Sequence, residues 1–507
     1  MFLELDRDSH LPLYVQIAGQ IRGMITGGVL KIGDRLPANR ELSKVLGVNR
    51  TTVNTAYEEL LADGLIESHV GRGTFISAVP SPPRRAWMKE QAPPPPPIQW
   101  GPMLAGRKPD HWLSGMPHAL PSNDAFSLAY ALPPSDLFPI DEFRRSVDRV
   151  LRKQGRTLID CGAAAGYAPL REYIASQASL SGRAVGPEQV LITNGCQQSL
   201  NLIRQVLVRP GDEVVLETPT YPGALSVFCG YDSKYSCVPV GDAGLDLALL
   251  EDALSQRRPR LIYTIPSFHN PTGVTMDLPA RRKLLQLAAK YRVPIVEDDI
   301  YGELRYDGPS LPSLKALDEH GVVIYINSFS KIGFAGVRVG WITADSAIID
   351  ALTIAKRGND LHTSLLPQAA VYEFSRHGLL AKHLKRMKKA CTERRDAMLS
   401  ALEKYFPEEL TWTRPEGGMS VWVTLPESIN ATQVLIESME KGVIFSPGEH
   451  FHPNLSPENN MRLAFSTASP AAIEEAIKRL GVILKARMAA LKKQRAARSP
   501  EALRALV

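Results

Sequence analysis

Lys331 closes the run Ser328-Phe329-Ser330-Lys331, and Arg338 follows seven residues later. Burial and a nearby guanidinium both favour a neutral amine, and a neutral lysine is a nucleophile that condenses with aldehydes. Three other polar runs suit the same chemistry. Asn194-Gly195-Cys196-Gln197-Gln198 offers free backbone N–H groups if it opens a helix, and such a terminus takes a phosphate. His269-Asn270-Pro271-Thr272-Gly273 supplies a side-chain amide. Glu297-Asp298-Asp299-Ile300-Tyr301 supplies carboxylates, costly at a buried strand end without partners. One of them can hold a pyridine nitrogen protonated, which makes the ring an electron sink. Taken singly, each run reads equally as a helix cap, a loop turn, a solvated loop or a surface lysine.

Their positions relative to the apolar runs bind them together. Val190-Leu191-Ile192, Val214-Val215-Leu216, Leu261-Ile262-Tyr263, Val293-Pro294-Ile295-Val296 and Val322-Val323-Ile324-Tyr325-Ile326 are near-continuous apolar strands, separated by longer helical patterns. That alternation implies an α/β body with a mostly parallel sheet buried on both faces. The polar runs follow strand ends, where α/β sites form.

This set resembles the fold-type I aminotransferases of the aspartate aminotransferase superfamily, over roughly residues 124–480. The resemblance includes Leu137-Phe138-Pro139, Gly166-Tyr167-x-Pro169-Leu170-Arg171, Pro219-Thr220-Tyr221-Pro222, Pro415-x-Gly417-Gly418-Met419, Pro447-Gly448-x-x-Phe451 and Arg462-Leu463-x-Phe465-Ser466. It implies a large and a small domain that bind pyridoxal 5′-phosphate and an amino acid. By motif position, Lys331 would form the Schiff base. Asp298 would face the pyridine nitrogen, and Tyr301 and Asn270 would hydrogen-bond the ring oxygen. Tyr221 would stack on the ring. Gly195, Cys196, Gln197, Ser328 and Arg338 would hold the phosphate, and Arg462 would clamp the ligand's carboxylate, a geometry suited to a guanidinium. Asp298 is preferred to Asp299 because the family spacing is Asp-x-x-Tyr. Cys196 stands where small or hydroxyl residues are common.

A smaller pattern precedes the body. Leu13, Ile17, Ile21 and Ile25 form the stripe of an amphipathic helix that ends at Gly27-Gly28. A second helix starts near Pro37 and stops at Gly47. Asn49 can cap a third, with Val53, Tyr57, Leu60 and Leu61 as its buried face. Two short strands with a glycine-rich tip follow. Three short helices and a hairpin make a winged helix-turn-helix pattern, suited to a DNA major groove. Gly33-Asp34-Arg35-Leu36-Pro37-Ala38-x-Arg40-Glu41-Leu42, Gly47-Val48-x-Arg50-Thr51-Thr52-Val53, Asp63-Gly64 and Gly71-Arg72-Gly73-Thr74-Phe75 resemble the DNA-binding domain of GntR-type bacterial repressors. The resemblance implies DNA contacts from Arg40, from Asn49, Arg50, Thr51 and Thr52, and from Gly71 with Arg72.

The chain of 507 residues thus divides into a head (1–78), a linker (79–124), a body (125–480) and a basic tail (481–507). The linker holds 12 of the 39 prolines, including Pro93 to Pro97, and favours polyproline II. It also holds Trp87, Trp100 and Trp112, more aromatic surface than a solvated tether usually carries, so docking of part of it against another surface and a plain tether both stand as readings. The net charge of +6 hints at nucleic acid, yet the head is −1 and the last 27 residues alone carry +6. A DNA reader in the head must work through a few placed residues rather than bulk charge. Five scattered cysteines without metal spacing, no apolar run of 18 residues and an acidic start favour a cytoplasmic protein with no metal and no membrane partner.

A GntR-like head on an aminotransferase-like body resembles the MocR/GabR-type bacterial regulators. That resemblance implies a homodimer binding double-stranded DNA, with a body that senses pyridoxal phosphate or a small amino acid-like effector. The alternatives are a working aminotransferase with a secondary head, and a body that only dimerises the heads.

Overall fold

The computed structural model describes residues 3–497 apart from 8, 10, 70–71, 78–110, 115–125, 181, 183 and 231–232. The chain divides between Met103 and Leu104 into two units.

In the first, α1 (Leu13–Thr26), α2 (Asn39–Leu46) and α3 (Arg50–Ala62) precede an antiparallel hairpin of β1 (Ile66–His69) and β2 (Gly73–Ile76). The four-residue spacing on α1 buries Ile17 and Ile21 against Leu42, Val53, Ala56 and Leu60. Gly47 ends α2 at a φ of 62°, a left-handed value that glycine adopts without strain. Asn49 caps α3 by accepting from the Thr51 N–H. Tyr57 Oη donates to the Pro37 carbonyl (2.9 Å) and Asn39 Nδ2 to Asn54 Oδ1 (2.6 Å), fixing α2 across α3. Leu61 departs from the expected buried face and is 48% exposed. Val53, Ala56, Tyr57 and Leu60 already form the stripe, and the next residue lies about 100° further round the helix.

The first strand of the second unit is β3 (Phe126–Ser127). Next come β4 (Val190–Thr193), β5 (Glu213–Thr218), β6 (Lys234–Gly241), β7 (Gly244–Leu245), β8 (Leu261–Thr264), β9 (Ile295–Asp298), β10 (Val323–Ser328) and β11 (Gly340–Thr343). They form one sheet in the order β4-β11-β10-β9-β8-β5-β6-β7. From β10 to β6 every pair is parallel, while β11 runs against both β10 and β4. Successive side chains enter opposite cores: Val214 and Leu216 of β5 face one cluster and Val215 the other. The five apolar runs became β4, β5, β8, β9 and β10. Near the sheet edge β6 alternates between buried and exposed residues, so no continuous apolar run marks it.

Beyond this sheet lie β12 (Thr411–Trp412), β13 (Ser420–Thr424), β14 (Val443–Ile444), β15 (Ser446–Pro447) and β16 (Asn460–Ala464). Four make an antiparallel sheet in the order β12-β13-β16-β15, and β14 pairs in parallel with β3. The helix Pro470–Ala497 packs along the helix Leu379–Tyr405 and runs straight through residue 480. Ile483, Leu484 and Met488 are buried, Arg487 pairs with Glu437 (2.6 Å) and Lys492 with Glu409 (2.7 Å). Two of the cations behind the charge excess are therefore already paired. Of the linker, His111–Ser114 form one helical turn with Trp112 buried, while Trp87, Trp100 and the proline run lie outside the described residues. Among the described residues no helix is long and apolar enough to cross a membrane, and no cluster of His, Cys, Asp and Glu could hold a metal ion.

Candidate functional site

The parallel strands of the large sheet deliver their polar runs to one end. Lys331 lies in the turn after β10, with Nζ 2.6 Å from the Ala131 carbonyl and 5.9 Å from the centre of the Tyr301 ring. Burial lowers its pKa from 10.5 to about 8, and the positive charge of Arg462 adds to the effect. The sequence pointed to Arg338 as the cationic neighbour. Arg338 contributes less, because it is exposed and water screens it. At pH 7 such an amine is roughly 300-fold richer in its neutral form than an ordinary lysine. Capture of added pyridoxal phosphate should therefore speed up with pH, with its midpoint near 8, and level off above about 9. Stopped-flow absorbance across pH 6–10 checks this, and a rise continuing to pH 10 contradicts it.

Asp298 ends β9, is 3% exposed, and accepts from Tyr263 Oη on β8 at 2.9 Å. Burial raises its carboxyl to about 7. It has no cationic partner among the described residues, so a protonated ring nitrogen would supply the missing charge. Its neighbour Asp299 turns to the other side of the sheet. There it accepts from Tyr325 Oη (3.1 Å) beside a cavity of about 660 Å³ that Asn327 and Phe329 also line. The two carboxylates are thus separated, Asp298 on the Tyr263 side and Asp299 on the Tyr325 side. Tyr301 is buried on the Lys331 side.

Gly195 precedes the helix Cys196–Leu207, whose first turn has no side-chain cap. A Cβ on Gly195 would stand 2.6 Å from Arg338 Nη2, so only glycine lets the guanidinium close over this helix start. Arg338 donates to the Asn194 carbonyl (3.0 Å) and to Ser330 Oγ (3.3 Å). Ser328 is brought here too, but its hydroxyl turns inward, bonding Ser330 Oγ (2.8 Å) and the Val339 carbonyl (3.0 Å). Ser330, quoted in the sequence run but given no role, holds the outer position. Gln197 Nε2 donates to the Gly223 carbonyl (3.0 Å), and Tyr221 Oη reaches Gln197 Oε1 (3.4 Å). Cys196 is buried beside them, its thiol pushed well up by that burial.

Arg462 rises from β16 into the same space and is 4% exposed. It donates to Asn270 Oδ1 (3.0 Å), Ser446 Oγ (3.2 Å) and the Ala129 carbonyl, while its Nε has no partner. The Phe451 ring lies 4.8 Å from the guanidinium carbon. All its partners are neutral, and burial lowers its pKa to about 10. A buried guanidinium without a counter-charge is costly, and an incoming carboxylate removes that cost. The Asn270 loop is braced from behind: His269 Nδ1 meets Thr272 Oγ1 (2.8 Å), and Nε2 lies 3.3 Å from Glu217.

The cup thus joins an amine, a carboxylate needing a cation, a glycine-lined helix start with an arginine, and an anion clamp. These four features match the aldehyde, ring nitrogen, phosphate and bound amino acid of pyridoxal phosphate chemistry. Tyr263, Ser446 and the Ala129 and Ala131 carbonyls were beyond sequence reasoning: a strand tyrosine, a loop serine and two backbone oxygens carry no signal of their own.

In the head, Arg40, Asn49, Arg50, Thr51 and Arg72 are exposed and Thr52 is half-buried. Asn49 Oδ1 already accepts from the Thr51 N–H, which leaves its NH₂ as donor. Arg50 and Thr51 open the first turn of α3. Gly71 lies outside the described residues.

Residues 134–480 match the family model "Aminotransferase class I and II", and residues 13–76 match "Bacterial regulatory proteins, gntR family". An uncharacterized HTH-type transcriptional regulator, YdfD of Bacillus subtilis, is 31% identical over 96% of this chain and 98% of its own. The probable rhizopine catabolism regulatory protein MocR of Rhizobium meliloti is 30% identical over 94% and 95%. Among solved structures, the kynurenine aminotransferase of Pyrococcus horikoshii superposes with a TM-score of 0.70 at 40% identity, covering 72% of this chain and 92% of that one.

Proposed function

The chain belongs to the aminotransferase class I and II family and carries a gntR-family head, and from that membership we propose a DNA-binding regulator whose body holds pyridoxal phosphate and senses an amino acid-like carboxylate. Arg462 carries the reading: a buried cation near the Lys331 amine and bonded to Asn270, with no anionic partner among the described residues. Relatives spanning nearly the whole chain bear regulator names, which supports the same reading.

Bound pyridoxal phosphate supplies an aldehyde that condenses with amines and a ring that accepts electron density. The chain's own groups set the terms. Lys331 offers a neutral amine. Asp298, raised by burial, keeps a proton at the ring nitrogen once ionised against it. Gly195, Cys196 and Gln197 would offer backbone N–H groups to the cofactor's phosphate together with Arg338, and Ser330 rather than Ser328 has its hydroxyl on Arg338. Tyr221 would stack on the ring, and Tyr301 and Asn270 would hydrogen-bond its oxygen. Arg462 orients the effector by its carboxylate, so amino acids rank above simple amines. In the head, Arg40, Asn49, Arg50, Thr51, Thr52 and the wing tip at Gly71 and Arg72 would contact DNA, Arg and Asn being suited to base edges and Thr to a phosphate or a thymine methyl. Two heads in a homodimer would read two half-sites of double-stranded DNA. The effector acts by favouring one DNA-bound arrangement over another.

The test is a footprint and gel shift on DNA selected from a random pool. A preferred site whose affinity changes with pyridoxal phosphate plus an amino acid is expected; the absence of any preferred site overturns the proposal. Arg50→Ala is expected to lower specific affinity about 10–100-fold with little change in non-specific binding. Equal loss on both DNAs would remove Arg50 from base reading.

Because the cup lacks no group that transamination requires, turnover is a second reading. Amino donor and keto acid added in succession would convert the chromophore and restore it at a metabolic rate if that reading holds.

A further inference from the structure

Trp112 is the one tryptophan of the proline-rich stretch within the described residues, and it is 8% exposed. Its one-turn helix, His111–Ser114, packs against the helix Pro222–Phe228 and the turn Gly448–Phe451. Its Nε1 donates to the His452 carbonyl at 3.0 Å. Both neighbours carry pieces of the cup. Tyr221 stands directly before the first, and Phe451 covers Arg462 at 4.8 Å from the second. The two are also tied to each other. The Thr220 N–H donates to the Phe451 carbonyl (2.8 Å), and His452 Nδ1 meets Thr218 Oγ1 (2.9 Å). Trp112 therefore sits as a wedge on the segment that backs the anion clamp.

We propose that Trp112 is a positioning residue for the effector's carboxylate, and that the chain leading to the head registers occupancy of the cup there. The inference rests on the sensing role given to Arg462. To receive a carboxylate in fork geometry, Arg462 must turn N–H groups away from Ala129, Ser446 or Asn270. Such a turn acts on Phe451, whose ring lies 4.8 Å from the guanidinium carbon, and the His452 carbonyl that holds Trp112 belongs to the next residue. Trp112 is followed back along the chain by the linker and the head, so a change in its seating is a change in how that linker is anchored. No contact between head and body is needed.

The test uses full-length protein loaded with pyridoxal phosphate, a DNA fragment selected by the wild-type chain, and 2-methylalanine. That amino acid keeps the carboxylate and amine but has no α-hydrogen, so turnover cannot intervene. Trp112→Ala is expected to weaken 2-methylalanine about tenfold in a spectral titration, leaving affinity for pyridoxal phosphate and for DNA without ligand unchanged. It should also shrink the ligand-dependent change in DNA affinity to within about twofold of none. Trp112→Phe keeps most of the apolar volume and removes the donor to His452; it should fall between the two, and it decides the matter if the alanine variant does not fold. Isopropylamine, which lacks the carboxylate, should bind wild type and both variants alike. Variants that respond to 2-methylalanine as wild type does overturn this inference alone. A wild-type chain whose DNA affinity ignores 2-methylalanine overturns the sensing role and this inference with it.

Discussion

Lys331→Ala is expected to abolish covalent capture of pyridoxal phosphate, the visible absorbance that comes with it, and any transamination. Among the described residues the other deeply buried lysine, Lys356, is held by Asp360 at 2.7 Å on the helix Ser346–Asp360. The phosphate cup around Gly195 and Arg338 does not depend on Lys331, so the variant should still bind the cofactor non-covalently. Dialysis would then remove it, whereas wild type keeps it. Borohydride reduction followed by peptide mapping checks the assignment. A label that persists in the variant refutes it. If the regulator reading holds, the variant's DNA affinity should respond to amino acids only while the cofactor is kept in excess and more slowly than in wild type, because the effector must then condense directly with the aldehyde rather than exchange with a protein imine.

Arg462→Met should separate the effector's carboxylate from everything else. Loss of a buried charge partner of this kind costs about 3 kcal/mol, or roughly 150-fold in affinity for an amino acid. The sign of the stability change is the sharper part. Unliganded Arg462 is buried among neutral acceptors with one nitrogen unpartnered, so a methionine of similar reach removes an uncompensated charge. Thermal unfolding without ligand should therefore occur at the same or a higher temperature in the variant, while stabilisation by added amino acid disappears. A variant that melts earlier without ligand would mean that Arg462 holds the β13–β16–β15 sheet together rather than waiting for an anion.

The strand ends were legible in the sequence because β4, β5, β8, β9 and β10 are buried on both faces and read as unbroken apolar runs. Residues placed by the next turn after such a strand inherit that clarity: Gly195, Asn270, Asp298 and Lys331 lie where the pattern put them. Two kinds of detail were not legible. A side chain's rotamer depends on its three-dimensional neighbours, so Ser328 turning to Val339 and leaving Ser330 outside has no one-dimensional trace. Contacts from far along the chain are equally silent. The Ala129 and Ala131 carbonyls meet Arg462 and Lys331 across 333 and 200 residues, and Trp112 meets His452 across 340. The head was legible almost throughout, since its core is local; Leu61 failed because it lies about 100° round α3 from Leu60, outside the stripe that Val53, Ala56, Tyr57 and Leu60 fill.

Those long separations bear on the order in which a newborn chain gains its properties. The head's core is complete once Ile76 has been made. The cup waits for Arg462, and β3 waits for its partner β14, more than 300 residues behind it. At the elongation rates of bacterial ribosomes the interval between residues 77 and 462 is about 20–80 s. During it, the nascent chain carries a folded DNA reader and no sensor. Chains broken off in that window would bind DNA without answering to any effector, and the cell's means of clearing them becomes part of how faithfully the signal is read.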